Sequence, residues 1–236
     1  LADKIDLITN FWAINLKPTG SKDPYALRRA SIGVIRIILE RGLDVSLLSL
    51  VNLGNEDIDL PDLIKFFKER VRVHFIEKGI QNDIISACFA VSGQDFKILD
   101  LYERALAISE FVNTELGRDL VQTYKRANNI LTLEERKDGV EYSLDPQLQL
   151  MKEEPERTLF NHLMVIDNDI ERELKEKNFK EGLRKLALLK SSLDPFFANI
   201  KINAKNSIIR RNRLCLLNRI REVMHKIANI AHISED

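Results

Sequence analysis

The sequence predicts an all-α protein, a helical bundle with the option of a smaller second bundle. Apolar residues recur at helical spacing along most of the 236 residues, and no run shows the alternation of a strand. Proline and glycine stand where helices start and stop, in the pairs Pro24/Gly42 and Pro61/Gly79. The chain is also long enough to bury a substantial core.

In chain order, LADKIDLITNFWAI reads as the end of a helix, followed by the polar loop KPTGSKDP. Asp23 is a suitable N-cap and Pro24 a suitable first helical residue for a helix over 24–41, which Gly42 ends. The next segments are 44–52, a helix from near Pro61 to Gly79, 83–92, 96–116 and 118–131. Three more follow at 156–177, 179–199 and 207–231. Turns are expected at Gly54-Asn55, Ser92-Gly93, Lys137-Asp138-Gly139 and Asp145-Pro146, and 132–155 is the most loop-like stretch. Leu1 in place of an initiator Met leads us to expect a piece of a longer chain.

The charge sums to zero, 36 basic against 36 acidic side chains, which argues against a dedicated nucleic-acid binder. The distribution is uneven. Residues 200–230 carry eight cations against the single acid Glu222, whereas residues 150–181 carry nine acids against six bases. Such asymmetry marks either a polyanion-facing surface or solvated helix faces. No stretch is apolar over 18 residues, so none is expected to span a membrane. Cys88 and Cys215 sit in apolar helical patterns and read as core thiols of a reducing compartment.

Catalytic constellations are missing. None of His74, His162, His225 and His232 is followed by Asp, and no two have metal-ligand spacing. The Gly20-Ser21-Lys22 loop lacks the second glycine, the residue order and the preceding strand of a phosphate-binding loop. Asp23 would also place its own carboxylate on the helix N–H groups that an anion needs. No metal or cofactor site is therefore expected.

Binding chemistry is better represented. On helix 24–41, Arg29, Gly33, Arg36 and Glu40 form a narrow polar strip, giving either a salt-bridged edge or an RNA-facing role for Arg29 or Arg36. YKRANNI groups Tyr124, Lys125, Arg126, Asn128 and Asn129, a composition suited to stacking on bases and holding phosphates. Near the last helix, Lys201, Arg210 and Arg211 are further candidates. Arg213 falls in that helix's apolar sector, so its guanidinium needs an internal carboxylate, carbonyls or a phosphate, the internal partner being favoured.

Four stretches together resemble one family, the β subunit of bacterial heterotetrameric glycyl-tRNA synthetase. They are FWAINLKPTGSKDPYALRRASIGVIRII (11–38), SGQDFKILDLYERALAISEF (92–111), YKRANNIL (124–131) and NAKNSIIRRNRLCLLNRI (203–220). DPYALRRA also resembles the opening of the DALR anticodon-binding helical domain. The resemblance implies the C-terminal part of that subunit: the end of a preceding domain at 1–16, a first helical part of the anticodon-binding region at 17–155, and C-terminal helices at 156–236 packing on it. It implies a cytoplasmic, non-catalytic piece that recognises tRNA-Gly within an α2β2 glycine–tRNA ligase. ATP and Mg would be used at the α subunit, which activates glycine. Asn15 stands where the family pattern has glycine, and Lys205-Asn206 where it is acidic. The rival expectation is a helical interaction module for subunit assembly that never touches RNA; a nucleotide hydrolase built on the Gly20–Lys22 loop is the weakest reading.

Overall fold

A computed structural model describes residues 1–52 and 58–234, and among these all regular structure is helical. The turn expected at Gly54-Asn55 lies outside the described residues. The chain divides into two compact units, Leu1–Leu106 and Ala107–Asp236. The division falls inside a helix, which carries no compositional signal; the sequence reading placed its breaks near residues 16 and 155, in polar connectors.

The first unit contains α1 (Ala2–Ala13), α2 (Leu27–Arg41), α3 (Leu47–Val51), α4 (Leu60–Glu77), α5 (Asn82–Phe89) and the start of α6 (Ile98–Val112). Its core is built from Ile8, Trp12, Val34, Ile38, Phe67, Val71, Phe75, Ile85 and Leu101, all buried. Helix α1 packs on α2. The Trp12 indole donates to Asp62 Oδ2 at 3.1 Å, and Lys17 reaches the same carboxylate at 2.8 Å, so the polar loop is fastened to α4. Asn15 ends α1 with φ +56°, the left-handed conformation glycine prefers and asparagine tolerates. That accounts for the departure noted at this position.

Helix α2 starts three residues later than expected. Pro24 and Tyr25 lie in a turn, and Asp23 reaches over it, accepting the N–H groups of Leu27 and Arg28 at 2.8 and 3.0 Å. The carboxylate thus occupies the anion position at this helix end. Gly42 stops α2 in the left-handed region, with Leu43 N–H donating to the Ile38 carbonyl at 2.9 Å. Cys88 is buried and free, and burial pushes its thiol up to about 12.

The second unit contains the end of α6, then α7 (Glu115–Asp138), α8 (Glu154–Lys175), α9 (Phe179–Ala187), α10 (Lys190–Asn199) and α11 (Ser207–His225), with 3₁₀ turns at Leu148–Leu150 and Ile230–His232. Helix α7 runs seven residues past the expected end, into the stretch read as loop. The segment read as one helix over 179–199 breaks at Leu188-Leu189, where N–H groups bond three residues back rather than four. The remaining loop is pinned to α11: Gln147 N–H donates to Asn212 Oδ1 at 2.7 Å, and Asn212 Nδ2 donates back to the Gln147 carbonyl at 3.1 Å. Asn206 caps α11, its Oδ1 accepting from Ile208 and Ile209 N–H, which is the service an acidic residue would give there. Cys215 is buried and free.

Candidate nucleic-acid interface

The cations of α11 are the first place to look for a polyanion surface, and most are already engaged. Arg210 is gripped by Glu134 and by Asp138 Oδ2 at 2.5 Å, both from α7, while its other N–H groups donate to Tyr142 Oη and Asn203 Oδ1 at 3.2 and 3.0 Å. Arg221 forms a bidentate pair with Glu135 of α7 at 2.8 and 2.9 Å. Arg219 and Lys226 both reach Asp167 of α8 at 2.6 Å, and Lys226 also reaches Glu171 at 2.5 Å. Arg213 is buried; its Nε donates to Glu156 Oε1 at 2.7 Å and its Nη1 to the Lys201 carbonyl at 2.8 Å. The other Glu156 oxygen accepts the N–H groups of Lys152 and Glu153, each at 3.0 Å, at the start of α8.

The charge asymmetry therefore has an internal explanation. The acid-rich segment and α7 supply carboxylates to the base-rich one, and five of its eight cations are paired inside the unit. A phosphate would have to displace charge-assisted bonds already made. Lys201, Lys205 and Arg211 remain exposed and form no ion pair among the described residues.

The Glu134 carboxyl is held below its usual value of 4.5, chiefly by the hydrogen bond from Arg210 and then that from Asn203, against the opposing effect of burial. Asp138 is lowered by the Tyr142 hydroxyl and then by Arg210. A depressed carboxyl pKa contributes stability that is complete above the unfolded value and lost as pH falls through the folded one. The melting temperature should accordingly hold near neutrality and drop below about pH 4.5. Arg210→Ala should show a smaller acid-induced drop than the parent, measured by circular dichroism; equal drops would remove the network from the pH response.

YKRANNI divides between core and surface. Tyr124 is fully buried, with its hydroxyl 3.1 Å from His225 Nε2, and burial pushes the phenol above its ordinary range. Its expected base-stacking role is corrected: Leu120, Tyr124, Ala127 and Leu131 are the core face of α7. Lys125 and Asn128 are half-buried, whereas Arg126 and Asn129 are exposed. The Arg126 guanidinium lies over the Phe197 ring of α10, 4.9 Å from its centre, a cation–π contact at the surface.

Projected at 100° per residue, Gln122, Lys125, Arg126, Asn129, Leu133, Arg136 and Lys137 share an arc of about 120° on α7. Arg118 extends the arc toward the helix start. From Gln122 onward the arc bears no carboxylate, because Glu134, Glu135 and Asp138 turn toward Arg210 and Arg221. Leu133 adds a large exposed apolar side chain, 65% accessible. Phe197, Leu133, Arg136 and Lys137 were missed from the sequence; continuing the spacing from Arg126 and Asn129 by one heptad finds Leu133 and Arg136, and three turns on from Arg126 finds Lys137. Arg29 and Arg36 lie on α2 of the first unit, both exposed, with Arg36 3.3 Å from Glu40.

Among the described residues no cluster of three His, Cys, Asp or Glu is placed to hold a metal ion, and no helix is long and apolar enough to cross a membrane.

The second unit is thus a helical unit whose α7 presents, from Gln122 onward, a face of cations and amides without a carboxylate. Residues 120–234 match the profile of the DALR anticodon binding domain, and residues 1–90 match that of the glycyl-tRNA synthetase beta subunit. Relatives named glycine–tRNA ligase beta subunit are 42% identical in Ruegeria sp. (strain TM1040) and 43% in Paracoccus denitrificans (strain Pd 1222), each over 233 residues. Another, from Dinoroseobacter shibae, is 41% identical over 268. Each match covers 99% of this chain and 34–37% of the relative, so the chain spans about a third of the length of the curated relatives it matches. The chain belongs to the glycyl-tRNA synthetase β subunit family.

Proposed function

We propose that the chain is the tRNA-binding, anticodon-recognising part of a glycine–tRNA ligase β subunit, acting on tRNA-Gly. The face of α7 that bears no carboxylate from Gln122 onward carries this reading. Arg126, Arg136 and Lys137 hold backbone phosphates, while Asn129 and the Arg126–Phe197 pair offer hydrogen bonds and stacking to unstacked loop bases. Lys125, Asn128, Lys201 and Arg211 contribute at its margins. Aminoacylation, with its ATP and Mg, belongs to a separate α subunit in an α2β2 assembly in the cytoplasm; this chain contributes binding only.

Arg126→Glu should weaken tRNA-Gly binding about tenfold or more and flatten the salt dependence by about one unit. Asn129→Ala should narrow the affinity difference between tRNA-Gly and a tRNA with an altered anticodon. Titrations over a salt series measure both, and unchanged affinities would sink the reading.

One observation favours a second reading, docking of another protein chain. An apolar cavity of about 810 Å³ in the second unit is lined by exposed Val165 and Leu188 together with Ile166 and Ala187. Capture of the α subunit by a chain that ignores tRNA would bring that reading forward.

A further inference from the structure

We propose that the groove beside Gly33, in the first unit, is a phosphate-binding site that takes the phosphodiester backbone of RNA. Helix α2 presents Arg29, Ile32, Gly33 and Arg36 at positions i, i+3, i+4 and i+7, one face of the helix, with Arg28 at its edge. Helix α4 adds Arg70, and together these six residues line an open groove of about 350 Å³. A fifth cation stands beside Gly33: a β-carbon there would lie 2.8 Å from Lys4 Cε and 3.3 Å from its Nζ, so the lysine arm of α1 packs against the glycine next to the groove.

The five cations are weakly countered. Glu40 meets Arg36 at 3.3 Å with both side chains more than 60% exposed, and Glu69 meets Arg70 at 3.6 Å. Such surface pairs hold their partners loosely. Arg29 forms no ion pair among the described residues. Arg28 is oriented rather than neutralised, donating Nη2 to the Gly20 carbonyl at 2.7 Å. The Nε of Arg70 is buried without an acceptor. Contrast α11 in the second unit, where every deeply placed cation has a carboxylate. Here four arginines border one open concavity, a local excess of guanidinium charge of the kind that attracts phosphate oxygens.

An open groove excludes little water and holds a ligand by several simultaneous charge contacts, which suits a chain of phosphates better than one small anion. The choice of RNA over a free phosphate rests on the tRNA-binding reading above.

The test compares the chain with Arg29→Ala, Arg70→Ala and the double variant, using labelled tRNA-Gly between 50 and 200 mM salt. Inorganic phosphate and ATP serve as separate probes by calorimetry. We expect the double variant to lose about tenfold in tRNA affinity and about two units of salt slope, and Arg29→Lys to keep most of both. If Arg70→Ala melts without cooperativity, Arg29→Ala at its exposed position decides alone, through about one unit of slope. An unchanged slope overturns the site. So does binding of phosphate or ATP that the double variant abolishes while tRNA affinity stays constant; the groove then serves a free phosphate. Arg126→Glu separates the two readings: loss of affinity in the groove variants with none in Arg126→Glu keeps the groove and removes the α7 face, and the reverse pattern removes the groove.

Discussion

Arg213→Ala is expected to destabilise the second unit by about 3–5 kcal/mol, the range for removing one partner of a buried ion pair. The cost comes from what is left behind more than from what is lost. Glu156 is 1% exposed and spends one oxygen on the two N–H groups at the start of α8, so it cannot swing out to water. Its other oxygen, 2.7 Å from Arg213 Nε, would keep a negative charge with no counterion. The Lys201 carbonyl would lose its donor as well. Arg213→Met with Glu156→Gln should recover more than half of the loss, because a neutral amide still accepts the two backbone N–H groups while the methionine fills the volume. Urea unfolding measures all three proteins. A penalty under about 1 kcal/mol for Arg213→Ala would mean that Glu156 reaches solvent in the folded chain. Below the melting range, tRNA affinity should stay unchanged, since a guanidinium enclosed in this way does not face a ligand.

The same residue shows how far the sequence could be read. Arg213 in an apolar sector demands a partner, and the sequence alone favours an internal one; which carboxylate answers, 57 residues away, is a matter of tertiary packing. Local grammar was legible wherever the cause was local. Gly42 and Gly79 end their helices as expected, and Asp23 does cap α2, though across a turn that displaces the helix start to Leu27. Where distant groups decide, the reading failed. The EERKD run at the end of α7 looks like loop by composition, yet Arg210 and Arg221 hold its carboxylates and keep the last turns helical. Tyr124 looked available for stacking because YKRANNI was read as a composition. Its spacing to Leu120, Ala127 and Leu131 already placed it on the core face. Charge runs misled for a related reason: opposite runs far apart in sequence neutralise each other in space, and the exposed remainder on α7 is visible only after that subtraction.

Gly117→Ala should cost about 2–3 kcal/mol even though alanine is the better helix former by about 1 kcal/mol. Gly117 is the third residue of α7, directly after the α6–α7 corner, and a β-carbon there would sit 1.9 Å from the Phe111 carbonyl oxygen and 2.7 Å from its carbon. Those are backbone atoms, so no rotamer change relieves the clash. The Phe111 carbonyl is also fixed from the other side, accepting from Thr114 N–H at 3.0 Å and Thr114 Oγ1 at 2.6 Å, and Thr114 Oγ1 in turn caps α7 by accepting from Gly117 N–H at 3.0 Å. Making room therefore means opening the corner and losing the cap that starts α7. Gly182 supplies the control within the same unit: a β-carbon there meets the tip of Ile227, Cδ1 at 3.2 Å, the far end of a side chain, and makes an ordinary 3.9 Å contact with Glu173 Cβ. Gly182→Ala should stay within about 1 kcal/mol of the parent. Because α7 carries the proposed RNA face, Gly117→Ala should also weaken tRNA-Gly binding at temperatures where the chain is still folded, and Gly182→Ala should not. Thermal melts paired with tRNA titrations read both effects, and a Gly117→Ala chain that melts and binds like the parent would show that the corner yields without moving α7.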